Sequence, residues 1–250
     1  MATAALFEAH GIHKRFGHQV VLEEINLSFQ EGLLSGIMGP NGAGKTTCFN
    51  VLTGRYRPDR GTVVFDGEDI TGLPPRTIAR KGISRSFQLI NLFDDYTALE
   101  NVLIAVPRVR NRGFNMYNSI ERDSAAMDKA AAALRLVGLQ GKEHEQSNRL
   151  SYGDRRALEI AVALATEPRI LFLDEPTSGL GTEATAHLAG LVRELKRRYT
   201  IVVIEHDMQF LFGLADFISV IHWGQVIADG SPQELRSNKW VQASNLGKLM

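Results

Sequence analysis

The residues that most directly announce chemistry are Gly39-Pro40-Asn41-Gly42-Ala43-Gly44-Lys45-Thr46-Thr47. They fit the phosphate-loop pattern of Gly, four residues, then Gly-Lys-Ser/Thr. An apolar run, Leu33–Met38, precedes them and reads as a buried strand, and Thr47–Leu52 starts a helix. Strand, glycine loop and helix N-terminus together make an anion site. Glycines let the backbone approach oxygen atoms closely, and successive N–H groups point inward at phosphates. Lys45 adds a point charge near the outer phosphates, and the Thr46 hydroxyl suits Mg²⁺.

Further candidates follow downstream. Arg169–Leu173 is apolar after its first residue and ends on Asp174-Glu175. After a phosphate loop, a strand ending in a carboxylate is suited to hold Mg²⁺, and a second carboxylate can orient and deprotonate a water. Ile201–Ile204 is another buried strand and closes on Glu205-His206-Asp207. The alternating stretch Ile83–Phe87 ends at Gln88. Strand ends of this kind form the ligand edge of an open α/β sheet. Ser151 and Asp154 resemble a capping box for a helix over 155–165, with Gly153 in the loop before it. Phe16, in the polar stretch Lys14–His18, serves equally well to stack on a base or to cover a sheet edge.

These residues need a scaffold. Strands are expected at 7–12, 20–22, 25–29, 62–65, 217–221 and 226–229, and Asp66-Gly67 is a hairpin signal. Helices are expected from Leu73-Pro74-Pro75 to about Lys81, over Leu99–Val106, from Glu121 to Val137 with Gly138 as its stop, over Met208–Ala215, and after Ser231-Pro-Gln-Glu234. The basic stretch from Val106 to Ser119 reads as irregular. A helical block between strands looks like an inserted subdomain.

Length and composition bound the rest. The 250 residues suit one large domain or one domain with an insertion. Lys+Arg and Asp+Glu both number 28, so no global field draws the chain to nucleic acid or anionic lipid. The one cysteine, Cys48, suits a reducing compartment and is expected to pack rather than react. No run approaches the roughly 18 apolar residues of a spanning helix. Residues 1–10 make a poor signal peptide. A soluble, cytoplasmic protein is expected, reaching a membrane only through partners.

Taken in order, the phosphate loop, the Gln88 loop, the Leu150–Asp154 signature, the Asp174-Glu175 pair and His206 resemble the ATP-binding subunits of ABC transporters over nearly the whole chain. The stretch Phe87–Phe93, the sequence Leu99-Glu-Asn-Val102, the long insert to about Ala133 and the signature tyrosine are similar to the branched-chain amino-acid importer subgroup, which includes relatives proposed for urea or amides. The resemblance implies an α/β, P-loop NTPase (RecA-like) core with an antiparallel β-subdomain and an inserted α-helical subdomain. The core would take residues 1–88 and 167–230, the helical subdomain 89–166, and a C-terminal helix and tail 231–250.

It also implies roles. ATP and Mg²⁺ would bind the loop Gly39–Thr47, with Thr46, Gln88 and Asp174 at the metal and Phe16 on adenine. Glu175 would be the general base, His206 would hold the γ-phosphate, and Gln88 would contact the attacking water. Ser151 and Gly153 would close on the nucleotide of a second, identical or different, ATPase subunit. Integral-membrane permease subunits would carry the solute, a solute-binding protein would deliver it, and nucleic acid would play no part. The subunit would lie on the inner face of the cell membrane.

Two motifs depart from the family pattern. The usual signature Leu-Ser-Gly-Gly-Gln has Tyr152 at a glycine and Asp154 at the glutamine, which sets a carboxylate near a phosphate site unless a capping role turns it away. The loop Ser178-Gly-Leu-Gly181 ends in Gly instead of Asp or Asn, and the resemblance leads one to expect weaker communication across a dimer. A lipid or lipopolysaccharide exporter subunit is the alternative within transporters. A soluble ATPase that remodels nucleic acid or ribosomes is the alternative outside them. One cassette, no sustained heptad repeat and no net basic charge argue against the latter. A GTPase lacks support, because Asn238-Lys239 is followed by Trp-Val rather than x-Asp.

Overall fold

The computed structural model describes residues 5–86, 90–110, 123–239 and 241. Two strands, β1 (Ala5–Phe16) and β2 (Gln19–Gln30), make a long antiparallel hairpin. The sequence suggests three shorter strands here. Bulges explain the difference, because register shifts interrupt the pairing without ending it. At one of them Gly11 takes φ 55°, and its N–H donates to Asn26 Oδ1 at 2.8 Å.

β3 (Leu34–Met38) is wholly buried and runs into α1 (Lys45–Leu52). β4 (Arg60–Phe65) and β5 (Glu68–Asp69) meet across Asp66 and Gly67. Both turn residues have positive φ, as a two-residue type I′ turn requires. With β1 and β2 they form a four-stranded antiparallel sheet, order β2-β1-β4-β5. After α2 (Pro75–Arg80) comes β6 (Ile83–Arg85). Gln88 lies outside the described residues.

A helical block follows. Thr97 and Glu100 form a full capping box at α3 (Ala98–Ala105). Pro107–Arg110 makes a further turn of helix, α4, where the sequence suggests irregular chain. Asp123 caps α5 (Ser124–Leu136), and Gly138 follows it at φ 78°. α6 (Tyr152–Leu164) starts three residues before the expected Arg155, because Ser151 itself is the cap. α3, α5 and α6 pack against one another.

The chain then returns to the main sheet through β7 (Ile170–Asp174), α7 (Thr182–Leu195), β8 (Thr200–Glu205), α8 (Met208–Phe212), β9 (Phe217–His222), β10 (Gln225–Gly230) and α9 (Pro232–Ser237). The sheet order is β10-β9-β3-β8-β7-β6, parallel except for the β9–β10 hairpin. This is a P-loop NTPase core carrying an antiparallel sheet and a helical insert. No helix among the described residues is long and apolar enough to cross a membrane.

Strand alternation divides the core. Leu171, Leu173, Ile201 and Val203 face the helices α3 to α8, whereas Ile170, Phe172, Val202 and Ile204 face α1 and the antiparallel sheet. Phe172 is the centre of the second layer, with its ring 5.3 Å from Phe7, 6.1 Å from Phe29 and 5.6 Å from Phe49. Register then fixes the working edge. Met38 pairs with Glu205, and Asp174 pairs with Ile204. The C-terminal ends of β3, β7 and β8 therefore stand side by side.

Candidate functional site

The loop after β3 is shaped by contacts that exclude side chains. A Cβ on Gly39 would lie 2.1 Å from the Ile221 carbonyl oxygen. Gly44 takes φ 99°, and a Cβ there would lie 2.9 Å from the Val21 carbonyl oxygen. Gly42 also has positive φ, at 80°. Ala43 N–H donates to Pro40 O at 3.2 Å, closing Pro40–Ala43 into a turn, and Ala43 O accepts from Gly224 N–H at 3.0 Å. No side chain caps α1, so its first-turn N–H groups are left to a ligand. Thr46 is exposed on that turn and Thr47 half-buried. Cys48, just inside, is fully buried, and burial pushes its thiol up to about 12.

Lys45 is buried, with Nζ donating to Gly39 O at 2.8 Å and Pro40 O at 3.1 Å. Burial pulls its pKa below the ordinary lysine value, and the Glu175, Glu205 and Asp174 carboxylates oppose that fall. Its ammonium thus spans the loop and faces three acids from neighbouring strand ends.

Asp174 ends β7 in almost complete burial. Desolvation raises its carboxyl to about 6 against the opposing Arg85 charge, and Glu175 adds to the rise. Oδ2 lies 3.7 Å from Arg85 Nη2, and Oδ1 has no hydrogen-bond partner among the described residues. A buried, orphaned carboxylate oxygen is what a cation would satisfy. No group of three or more His, Cys, Asp or Glu side chains is arranged to hold a metal alone among the described residues. The donor set suits Mg²⁺, which binds through one or two carboxylates together with substrate phosphates.

Glu175 follows with φ 43°, its N–H donating to Ile204 O at 2.9 Å. Its Oε1 lies 3.9 Å from His206 Nδ1, at the end of the adjacent strand. The structure therefore brings Lys45, Asp174, Glu175 and His206 to one edge.

Two contributors are not legible as site residues in the sequence. Arg85 donates to Asn50 Oδ1 at 3.0 Å and Thr53 Oγ1 at 2.8 Å and lies over Phe49, tying α1 to β7 through Asp174. A basic residue inside the strand Ile83-Ser84-Arg85 is its only sequence signal. Glu205 is fully buried at the end of β8, with its carboxylate turned to the loop after β7.

Phe16 is 44% exposed, edge-on to Tyr56 at 5.3 Å and beneath Lys14 Nζ at 5.5 Å. Ser151 and Gly153 sit elsewhere, beside α7 and the loop after β7. Ser151 Oγ accepts from Asp154 N–H at 3.1 Å and donates to Asp154 Oδ2 at 2.7 Å. Lys142 Nζ reaches the same oxygen at 2.7 Å. Burial works to raise the Asp154 pKa, but Lys142 and Ser151 outweigh it and hold the carboxyl below its usual range. Tyr152 donates its hydroxyl to Ser178 O at 3.2 Å over Gly179, where a Cβ would meet that hydroxyl at 3.0 Å. The signature tyrosine is thus seated on the loop that ends at Gly181.

Residues 22–178 match the family profile described as "ABC transporter". The chain belongs to the ABC transporter family. It is 41% identical to the high-affinity branched-chain amino acid transport ATP-binding protein BraF of Pseudomonas aeruginosa, over 97% of this chain and 98% of the relative. It is 38% identical, over the same shares, to the corresponding protein LivG of Escherichia coli K12. The lipopolysaccharide export system ATP-binding protein LptB of Acidithiobacillus ferridurans is 31% identical over 97% of each chain. In three dimensions the chain resembles the ADP conformation of MJ1267, an ATP-binding cassette of an ABC transporter. The TM-score is 0.87 at 29% identity, over 98% of this chain and all of the other. ATP hydrolysis is the general activity of such ABC cassettes, and the phosphate loop and paired acids here have the parts for it.

Proposed function

We propose that the chain is the ATP-hydrolysing energy subunit of an ABC importer for branched-chain amino acids or a similar small polar solute. The observation that carries the chemistry is the single edge on which register places Lys45, Asp174, Glu175 and His206. The cargo class rests on full-length similarity to BraF and LivG, which exceeds that to the exporter subunit LptB.

In this reading the backbone N–H groups of Gly39–Thr47 bind the phosphates and Lys45 offsets their charge. Phe16 stacks on the adenine. Thr46, Gln88 and Asp174 would hold Mg²⁺, which would supply positive charge against the phosphates. Glu175 orients the attacking water and takes its proton. His206 holds the terminal phosphate in place. Ser151 and Gly153 act on the nucleotide of a second cassette, so that two subunits enclose two ATP between them and hydrolysis lets them part. The segment 89–166 passes that motion to membrane permeases. The core comprises 1–88 and 167–230, and 231–250 forms the terminal appendage. The subunit then works at the inner face of the cell membrane, fed by a solute-binding protein.

Tagged chain recovered from detergent-solubilised native membranes tests this, with co-purifying proteins identified by mass spectrometry. Multi-spanning permeases and a second ATPase are the expected companions. Only soluble companions, or ribosomes, would overturn the importer reading.

A further inference from the structure

A carboxylate with no exposed surface is costly unless every lone pair is used. Glu205 uses its two oxygens on two different loops. Oε1 accepts from Thr177 N–H at 2.8 Å and from the Thr177 hydroxyl at 2.5 Å. Oε2 accepts from His206 N–H at 3.0 Å and Asp207 N–H at 3.3 Å. Thr177 stands two residues beyond Glu175, and His206 follows Glu205 directly. One buried side chain therefore clamps the segment that carries the acid to the segment that carries the imidazole. Within that clamp His206 Nδ1 lies 3.9 Å from Glu175 Oε1 and 3.7 Å from Glu205 Oε2.

We propose that Glu205 is a positioning residue for ATP hydrolysis, which fixes His206 against Glu175 by holding the loops after β7 and β8 in one register. This rests on the hydrolytic reading above. The strands β7 and β8 end at Asp174 and Glu205, and the bond from Glu175 N–H to Ile204 O at 2.9 Å fixes the Glu175 backbone without reaching Thr177 or His206. Glu175 also sits in the left-handed region at φ 43°, a conformation that its surroundings must enforce. Glu205→Gln has the same shape but offers one acceptor oxygen instead of two, and it turns an NH₂ toward N–H donors on one loop. One loop is then released. A reacting group misplaced by about an ångström costs up to roughly a hundredfold in rate.

The test is a double-mutant cycle in kcat on the membrane complex recovered as above, using E205Q, H206A and the pair, with KM, Tm and affinity for a fluorescent ATP analogue measured on the same samples. E205Q is expected to lower kcat about tenfold or more while KM and analogue affinity stay within about twofold. In the H206A background the same change should cost less than about twofold, because the group it positions is gone. T177V, which deletes one donor and keeps the volume, should lower kcat in the same direction and covers the case of an unstable E205Q. Equal losses in both backgrounds, a loss confined to KM, or unchanged kcat in both E205Q and T177V would overturn the inference. A wild-type complex that binds no ATP analogue and hydrolyses no ATP would overturn the hydrolytic reading instead.

Discussion

Lys142 Nζ and Asp154 Oδ2 stand 2.7 Å apart, and the same oxygen accepts the Ser151 hydroxyl. The carboxylate that replaces the family's signature glutamine is therefore neutralised from within the subunit. Lys142→Ala should leave Asp154 facing incoming phosphate unshielded. The pair is partly exposed, so the effect is modest, about 1 kcal/mol or less, or up to roughly fivefold weaker ATP-driven dimerisation. It should grow at low salt, and Asp154→Gln in the same chain should reverse it. Sedimentation with ATP at two ionic strengths reads both.

Glu175→Gln keeps the shape of the acid and removes the base. Hydrolysis should fall by about 10²–10⁴. ATP binding should persist, so an ATP-bound dimer is expected to accumulate on a sizing column with MgATP. A variant that stays monomeric there would count against closure of two cassettes around the nucleotide.

Asp174 gives the nucleotide-free chain a pH signature. Burial raises its carboxyl from 3.8 to about 6. The folded state thus holds this proton more tightly than the unfolded one. The stability it contributes is full below about pH 4 and is lost as pH rises through about 6. The change is about 3 kcal/mol at ~1.4 kcal/mol per unit. Asp174→Asn should be more stable than the wild type at pH 8 by up to that amount and equal to it near pH 4. Urea titrations in chelator at the two pH values check the sign.

Phe16→Ala tests the base platform. Its ring is 44% exposed yet braced by Tyr56 and Lys14, so it is held in place without being covered. Loss of a stacked ring costs about 1–3 kcal/mol, roughly ten- to a hundredfold in ATP affinity. Tm should change little, because the ring covers no core.

The legible parts of the site were those that backbone chemistry alone dictates. Gly39, Gly44 and Lys45 have one use at that spacing, and a strand closing on Asp174-Glu175 needs no knowledge of its neighbours. Arg85 and Glu205 were not legible as site residues because their partners, Asn50, Thr53, Asp174 and Thr177, come from other segments. The hairpin β1–β2 looked like three strands because bulges at Gly11 and near Glu24 break strict alternation without breaking the pairing. The helix α7 carries a signal readable in the sequence. Leu188, Val192 and Leu195 recur at helical spacing and are all buried. Asp154 reads either as a carboxylate near phosphate or as part of a cap, and the fold shows it bonded to the cap Ser151 with Lys142 beside it.

The buried thiol of Cys48 has a practical corollary. The chain has one cysteine, and that one is packed away and held protonated. Reagents that attack thiolates should pass it by in the folded state. The wild-type sequence thus serves as its own cysteine-light background. A cysteine placed on the exposed face of α7 or α9 would be the sole reactive handle for a spin label or a fluorophore. Opening and closing of the assembled pair could then be followed as a distance, with no prior replacement of native residues.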